Sequence, residues 1–241
     1  MSLPYDFDFL HLFAVALIFI MWWLYGPILR ALGRGTLNAQ LHVVRLKWMR
    51  MLLHSRRENR VFDGILLGQV SSSMSFFGSA TLIVLAGLVG TMASINHVHA
   101  SLTEMAFFPP ISLGLFTIDF ASITVIMAIS FFSFTYALRK LAYTLAMIGG
   151  LDEAPAATPQ AQVMITATAT VLTEALKSMN NGIRGYYYSI AGLFLFAGPI
   201  SSMAMTIFLS LLLYYRQGLS TEALSIERYV QAMIEEGVET T

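Results

Sequence analysis

Long apolar runs, almost free of charge, alternate along this chain with stretches where charge returns. A helix that crosses a bilayer needs about 20 such residues. Four runs meet that length, at 9–29, 62–95, 119–142 and 186–215, the second being most apolar from Met74 onward. Trp22, Trp23 and Tyr25 fall near the end of the first, and Arg139 and Lys140 near the end of the third. Tyr186, Tyr187 and Tyr188 open the fourth, and Tyr214 and Tyr215 close it. Such rings favour the headgroup layer, where an apolar body and a polar tip are both accommodated. The fourth run would make about 40 Å of helix, so it is expected to be tilted or kinked, with Gly198-Pro199 as the kink site.

Three shorter amphipathic patterns lie between and after these runs. Over 36–58, Leu37, Leu41, Val44, Trp48 and Met51 form one stripe, and Lys47, Arg50, His54 and Arg57 another. A basic amphipathic helix of this kind lies in the interface and attracts anionic lipid, or else it packs on its own protein. A helix over 160–183 is expected after the Gly149-Gly150 break and the prolines Pro155 and Pro159. A third over 220–237 starts from a Ser220 cap and aligns Ala223, Ile226, Val230, Met233 and Ile234, a stripe for a partner or a neighbouring subunit. The fold class is all-α: a four-transmembrane-helix bundle with amphipathic interfacial helices, forming one integral membrane domain over 1–241.

Composition agrees with that class. The chain is 56% hydrophobic and 12% charged, more apolar surface than a soluble domain of this length can hide. Net charge is zero but unevenly spread: residues 30–60 hold eight of the fourteen basic residues, 139–184 hold four, and 96–118 hold none. The positive-inside rule then puts both basic segments in the cytoplasm and both termini outside. The acidic start, MSLPYDFDF, lacks the basic region of a cleaved leader, so the first run reads as a retained helix. A bacterial inner membrane is the expected location. The absence of cysteine excludes disulfides, thiolate metal sites and thiol nucleophiles.

Small residues recur along one face of the second run: Gly64, Gly68, Ser71, Ser75, Ser79, Ala86 and Gly90. In lipid, helices gain nothing by hiding apolar surface, so close backbone approach drives their association. The stripe reads as a packing seam, within the protomer or between protomers, with Ala121, Thr124 and Ala128 as a matching face. A second reading makes it a pore wall in an oligomeric channel for a small ion or solute, with the serines facing water near a constriction at Leu82 and Leu85. No charge falls in the middle of a predicted span, which argues against ion-coupled transport.

Candidate chemistry gathers at the predicted inner rim. Asn59, Arg60 and Asp63 open the second span, Arg139 closes the third, and Asn180, Asn181 and Arg184 precede the fourth. Guanidinium groups with amides are suited to phosphate, a lipid headgroup or a carboxylate, although arginines also snorkel at this boundary without binding anything. The predicted outer side carries His11, His97, His99, Glu104 and Asp119. His97-x-His99 lacks the i,i+4 pairing of a helical zinc motif, so no metal site is assigned, and Asp119 reads as a helix N-cap. No catalytic motif is present. The chain is expected to be no enzyme, to need no cofactor, and to bind anionic membrane lipids and no nucleic acid. It is expected to work as a homo-oligomer or as a subunit of a larger membrane complex.

Three stretches resemble the membrane family called domain of unknown function 599: WMRMLLHSRRENRVFDGILLGQVSSSMSFFGSATLIVLAGLVG, SFFSFTYALRKLAYTLAMIGGLDEAP and NNGIRGYYYSIAGLFLFAGP. ENRVFD leading to SFFGSAT is similar to a family stretch with Asn-Arg-x-x-Asp before a Phe-Phe-Ala-Ser-Thr run, altered here by Gly78 and Ala80. The third stretch resembles a family Arg-Ala-Tyr-Tyr-Phe pattern, from which Gly185 and Tyr188 depart. The resemblance implies an integral membrane protein of about four helices and implies no reaction.

Overall fold

The computed structural model describes residues 6, 8–31, 35–54, 60–104, 111–151 and 158–235. Among them the regular structure is helical: α1 (Phe9–Ala31), α2 (Leu37–Gln40), α3 (His42–His54), α4 (Arg60–Met92), α5 (Ile95–Thr103), α6 (Leu113–Gly149), α7 (Pro159–Leu193), α8 (Pro199–Gly218) and α9 (Thr221–Glu235), with a 3-10 turn over Phe194–Ala197. Among the described residues, three helices are long and apolar enough to cross a membrane: Phe9–Ala31, Val61–Met92 and Leu113–Gly149.

Local chemistry explains the helix ends. Asp8 starts α1 by accepting the His11 N–H at 2.8 Å, the arrangement of an N-cap. Thr36 does the same for α2, accepting the Ala39 N–H. Ser112 caps α6 through the Leu115 N–H, and is itself held by Asp6, which accepts its N–H at 2.7 Å and its hydroxyl at 2.6 Å. The Ser220 hydroxyl accepts the Ala223 N–H, the expected cap. Helix α6 stops at Gly149, the expected break.

The chain divides into two compact units that share its long helices. The first takes the described parts of Met1–Ile28, Ser79–Phe132 and Asn181–Tyr214; the second takes Leu29–Gly78, Ser133–Asn180 and Tyr215–Thr241. In the first, Ile18, Trp22, Tyr25, Phe116, Ile126 and Tyr188 are buried. One close contact in it is helix on helix. A Cβ placed on Gly185 of α7 would lie 1.7 Å from the Ser130 Oγ of α6 and 3.1 Å from the Trp22 ring. A Cβ at Gly192, two turns on, would lie 2.9 Å from Ile123. These glycines let α7 and α6 approach at backbone distance, which is how small residues stabilise apolar helix pairs.

In the second unit, one core joins Leu46, Met49 and Leu52 of α3, Leu67 and Met74 of α4, Leu141 of α6, and Ile165 and Leu172 of α7. Helix α9 packs on α2 and α3, burying Ala223, Val230 and Met233. The Leu37 N–H donates to Gln217 Oε1 at 3.1 Å.

Several elements differ from the sequence pattern. The segments 160–183 and 186–215 are not two separate helices: α7 runs unbroken from Pro159 to Leu193. The fourth run is not one span either. Gly198 adopts φ +109°, the left-handed region open to glycine, and Pro199 starts α8, where its missing N–H costs nothing. The chain reverses there. The Ser202 hydroxyl donates to the Ala191 carbonyl, and Tyr188 meets Ser210 across twenty-two residues. The kink site is a hairpin turn.

The pattern over 36–58 also splits, with α2 ending before α3 begins. Its buried face is Val43, Leu46, Met49 and Leu52, while Met51 of the expected stripe stays exposed. A helix with apolar residues on more than one side leaves the choice of face to its neighbours. Helix α9 packs on this chain's own α2 and α3 with Ala223, Val230 and Met233 buried, while Ile226 is half-buried and Ile234 exposed.

Candidate functional site

The described members of the predicted rim divide between the two units, Asp63, Arg139 and Asn180 in the second and Asn181 and Arg184 in the first. Asn59 lies outside the described residues, as does the side chain of Arg60. Asp63 accepts the Trp48 indole N–H at 2.7 Å, so it fastens α4 to α3. Arg139 folds onto its own helix, donating to the Tyr143 hydroxyl at 2.6 Å and lying over that ring. Asn180 is exposed. Asn181 and Arg184, one turn apart on α7, are joined by a 3.2 Å hydrogen bond.

Around Arg184, in the first unit, the aromatic residues collect. Its guanidinium carbon lies 4.7 Å from the centre of the Tyr25 ring, a cation–π contact. Tyr25 stacks on Tyr214 at 5.0 Å, and Trp22 on Tyr188 at 6.3 Å. Tyr25 donates to the Leu213 carbonyl at 3.1 Å. Tyr188 and Ser210 are 3.1 Å apart; because Ser210 already donates to the Thr206 carbonyl, Tyr188 is the donor. The residues expected as a boundary belt are therefore partly internal, with Trp22, Tyr25 and Tyr188 all buried. The triple tyrosine at 186–188 was the signal available, but its facing direction depends on α7 continuing through it.

A second polar pair sits in the first unit. Nε2 of His11 on α1 and Oδ1 of Asp119 on α6 are 2.5 Å apart, and both side chains are buried. Asp119 is not the cap of its helix, since α6 starts at Leu113 and Ser112 holds that role. Its Oδ2 is buried without a hydrogen bond. His99 meets the Ile111 carbonyl at 2.8 Å and the Phe116 ring. Among the described residues, no three His, Asp or Glu side chains gather as metal ligands.

The second unit holds a polar knot that the basic pattern of 36–58 concealed. Arg45, 8% exposed, donates to the Asn38 carbonyl, to Asn38 Oδ1 and to Thr173 Oγ1 at 2.8–3.0 Å. Asn38 donates to the Thr173 carbonyl at 3.1 Å. Thr173 gives its own proton to the Ala169 carbonyl, so His42, whose Nδ1 lies 2.9 Å away, is a donor there. Burial pushes the Arg45 guanidinium down to about 10, still charged at neutral pH. Burial and the Arg45 charge together lower the His42 imidazole.

The small-residue stripe lies on the open side of α4. Gly64, Gly68, Ser75, Ser79, Ala86 and Gly90 are exposed and Ser71 partly so, and a Cβ on Gly64, Gly68 or Gly90 would meet nothing within 4 Å. Helix α4 packs instead through Leu67, Met74, Gly78 and Thr81; Thr81 shares a 2.5 Å hydrogen bond with Tyr186. The seam that closes two helices within the chain is on α7, at Gly185 and Gly192.

No curated protein and no solved structure matches this chain. One family does, over residues 13–222, and its description is "Protein of unknown function, DUF599". That match spans most of the sequence and includes all three stretches on which the resemblance rests, so the chain belongs to the DUF599 family.

Proposed function

We propose that this protein is a non-catalytic, self-associating component of a bacterial inner membrane, and that the bare face of α4 is where copies meet. The supporting observation is the exposed run of small residues on a long apolar helix, Gly64 to Gly90. Such a face gains little from lipid tails, whereas a second helix can approach it closely. The second copy's α4 is the self-complementary occupant expected of a two-fold assembly.

The crossing pattern belongs to the same reading. Helices α1, α4 and α6 cross, and the hairpin of α7 and α8 enters and returns. The N-terminal segment then lies outside. The C-terminal helix, packed on α2 and α3 beside the basic segment, lies inside, in place of the outside position expected for both termini.

The cysteine-free sequence makes both points testable. Ser75→Cys and Ser79→Cys should crosslink into dimers in native membranes, with Phe76→Cys reacting less. Absence of dimers at every position along α4 would reject self-association through this face. Membrane-impermeant maleimide should label Ser94→Cys in intact cells and Ser225→Cys only after permeabilisation.

A further inference from the structure

We propose that Arg184, Tyr214 and Trp22 form a binding site for a phosphate-bearing anion. Thirteen of the fourteen basic residues belong to the second unit; Arg184 alone belongs to the first. The ionisable groups that act on its guanidinium are the phenols of Tyr25, Tyr188 and Tyr214, and no carboxylate is among them. Nor does Arg184 form an ion pair among the described residues. A cation buried beside an aromatic ring, with no counter-charge among the described residues, is costly to desolvate. The cation–π contact with Tyr25 offsets only part of that cost, and an anionic ligand would supply the remainder.

Unused donors make the same point independently. The Nε of Arg184, the hydroxyl of Tyr214 and the indole nitrogen of Trp22 are each sealed from solvent without a hydrogen-bond partner. Buried polar groups are nearly always paired, and three in one aromatic cluster need an explanation. All three can donate, and none is positively served by the protein's own acceptors: the Leu213 carbonyl is taken by Tyr25, and Ser210 by Tyr188. A guanidinium flanked by neutral donors is the arrangement that holds phosphate oxygens.

Depth favours a headgroup as the source of that phosphate. The stretch of α1 within the first unit, from Phe9 to Ile28, is about 30 Å of helix, the thickness of the hydrocarbon core. Tyr25 stands near its basic end, just before Arg30, which is the level of anionic headgroups. Lipid phosphodiester and free phosphate share the same recognising chemistry, so the test separates them.

The full chain, purified in mild detergent, is examined by native mass spectrometry with added phosphatidylglycerol and by thermal unfolding with inorganic phosphate. Specific lipid adducts are expected on the wild type. They should fall by about tenfold in Arg184→Gln and by roughly threefold in Tyr214→Phe, which removes one donor and keeps the ring stack. If phosphate raises the unfolding midpoint of the wild type and not of Arg184→Gln, while lipid leaves no specific adduct, the site is one for free phosphate. If neither probe binds, or if folded Tyr214→Phe and Arg184→Gln bind both as the wild type does, the proposal is overturned. Because the readout is ligand bound per chain, it is independent of whether copies associate through α4.

Discussion

The two units are built from the same long helices yet are stabilised differently. In the first, α6 and α7 meet through glycine and serine at backbone distance, with aromatic stacks and a buried His11–Asp119 pair. In the second, a core of Leu, Met and Ile carries the packing, and a polar knot of Asn38, Arg45 and Thr173 fastens α2 and α3 to α7. The contrast follows the basic residues, all but one of which are in the second unit. Where helices lie in hydrocarbon, close approach and hydrogen bonds must hold them.

Glycine substitutions give the largest separation between the two modes. Gly185→Ala would drive a methyl into Ser130 and Trp22, and should destabilise the protein by about 3 kcal/mol, read as a lower thermal midpoint in detergent. Gly68→Ala meets open space, and should leave the monomer unchanged or more stable by about 0.5–1 kcal/mol. Equal losses at the two positions would break the distinction.

Arg45→Met comes next. It removes three hydrogen bonds and leaves Asn38 and Thr173 with unmet partners, a loss of about 2 kcal/mol. Hydrogen exchange should rise in α2 and α3 and stay low in residues 113–132 of α6. A rise in both places would mean that the units do not open separately.

The smallest effect is a pH dependence. His42 has its folded pKa lowered from the usual 6.5 by burial and by the Arg45 charge. The unfolded chain therefore binds this proton more readily. The contribution of neutral His42 is fully present above pH 6.5 and is lost as the pH falls below that value toward the folded pKa. Exchange protection in α2 and α3 should drop as the pH falls below about 6.5, and His42→Gln should flatten that slope.

Some of this was legible along the chain. The apolar runs of α1, α4 and α6, the Ser220 cap and the stop at Gly149 rest on properties of neighbouring residues, which the pattern carries directly. Arg184 stood out as a candidate, but not its surroundings: Trp22, Tyr25 and Tyr214 come from helices far apart in sequence. The rim read as one group because all seven of its members sit near predicted helix ends. Asp63 and Arg139 proved to have local partners, Trp48 and Tyr143, that spacing alone does not rank above a shared ligand.

The sequence by itself determined the class of the molecule, an all-helical chain with helices apolar enough for a membrane, because hydropathy and length are sums over consecutive residues. Only the tertiary structure decided which faces those helices use. It turned the fourth apolar run into a hairpin at Gly198 and moved the close-packed glycines from α4 to α7. It also buried Arg45, which the basic stripe of 36–58 did not single out. Each of these outcomes depends on what a distant segment offers as a neighbour, and an apolar helix with small or greasy residues on several sides has no preferred face until that neighbour arrives.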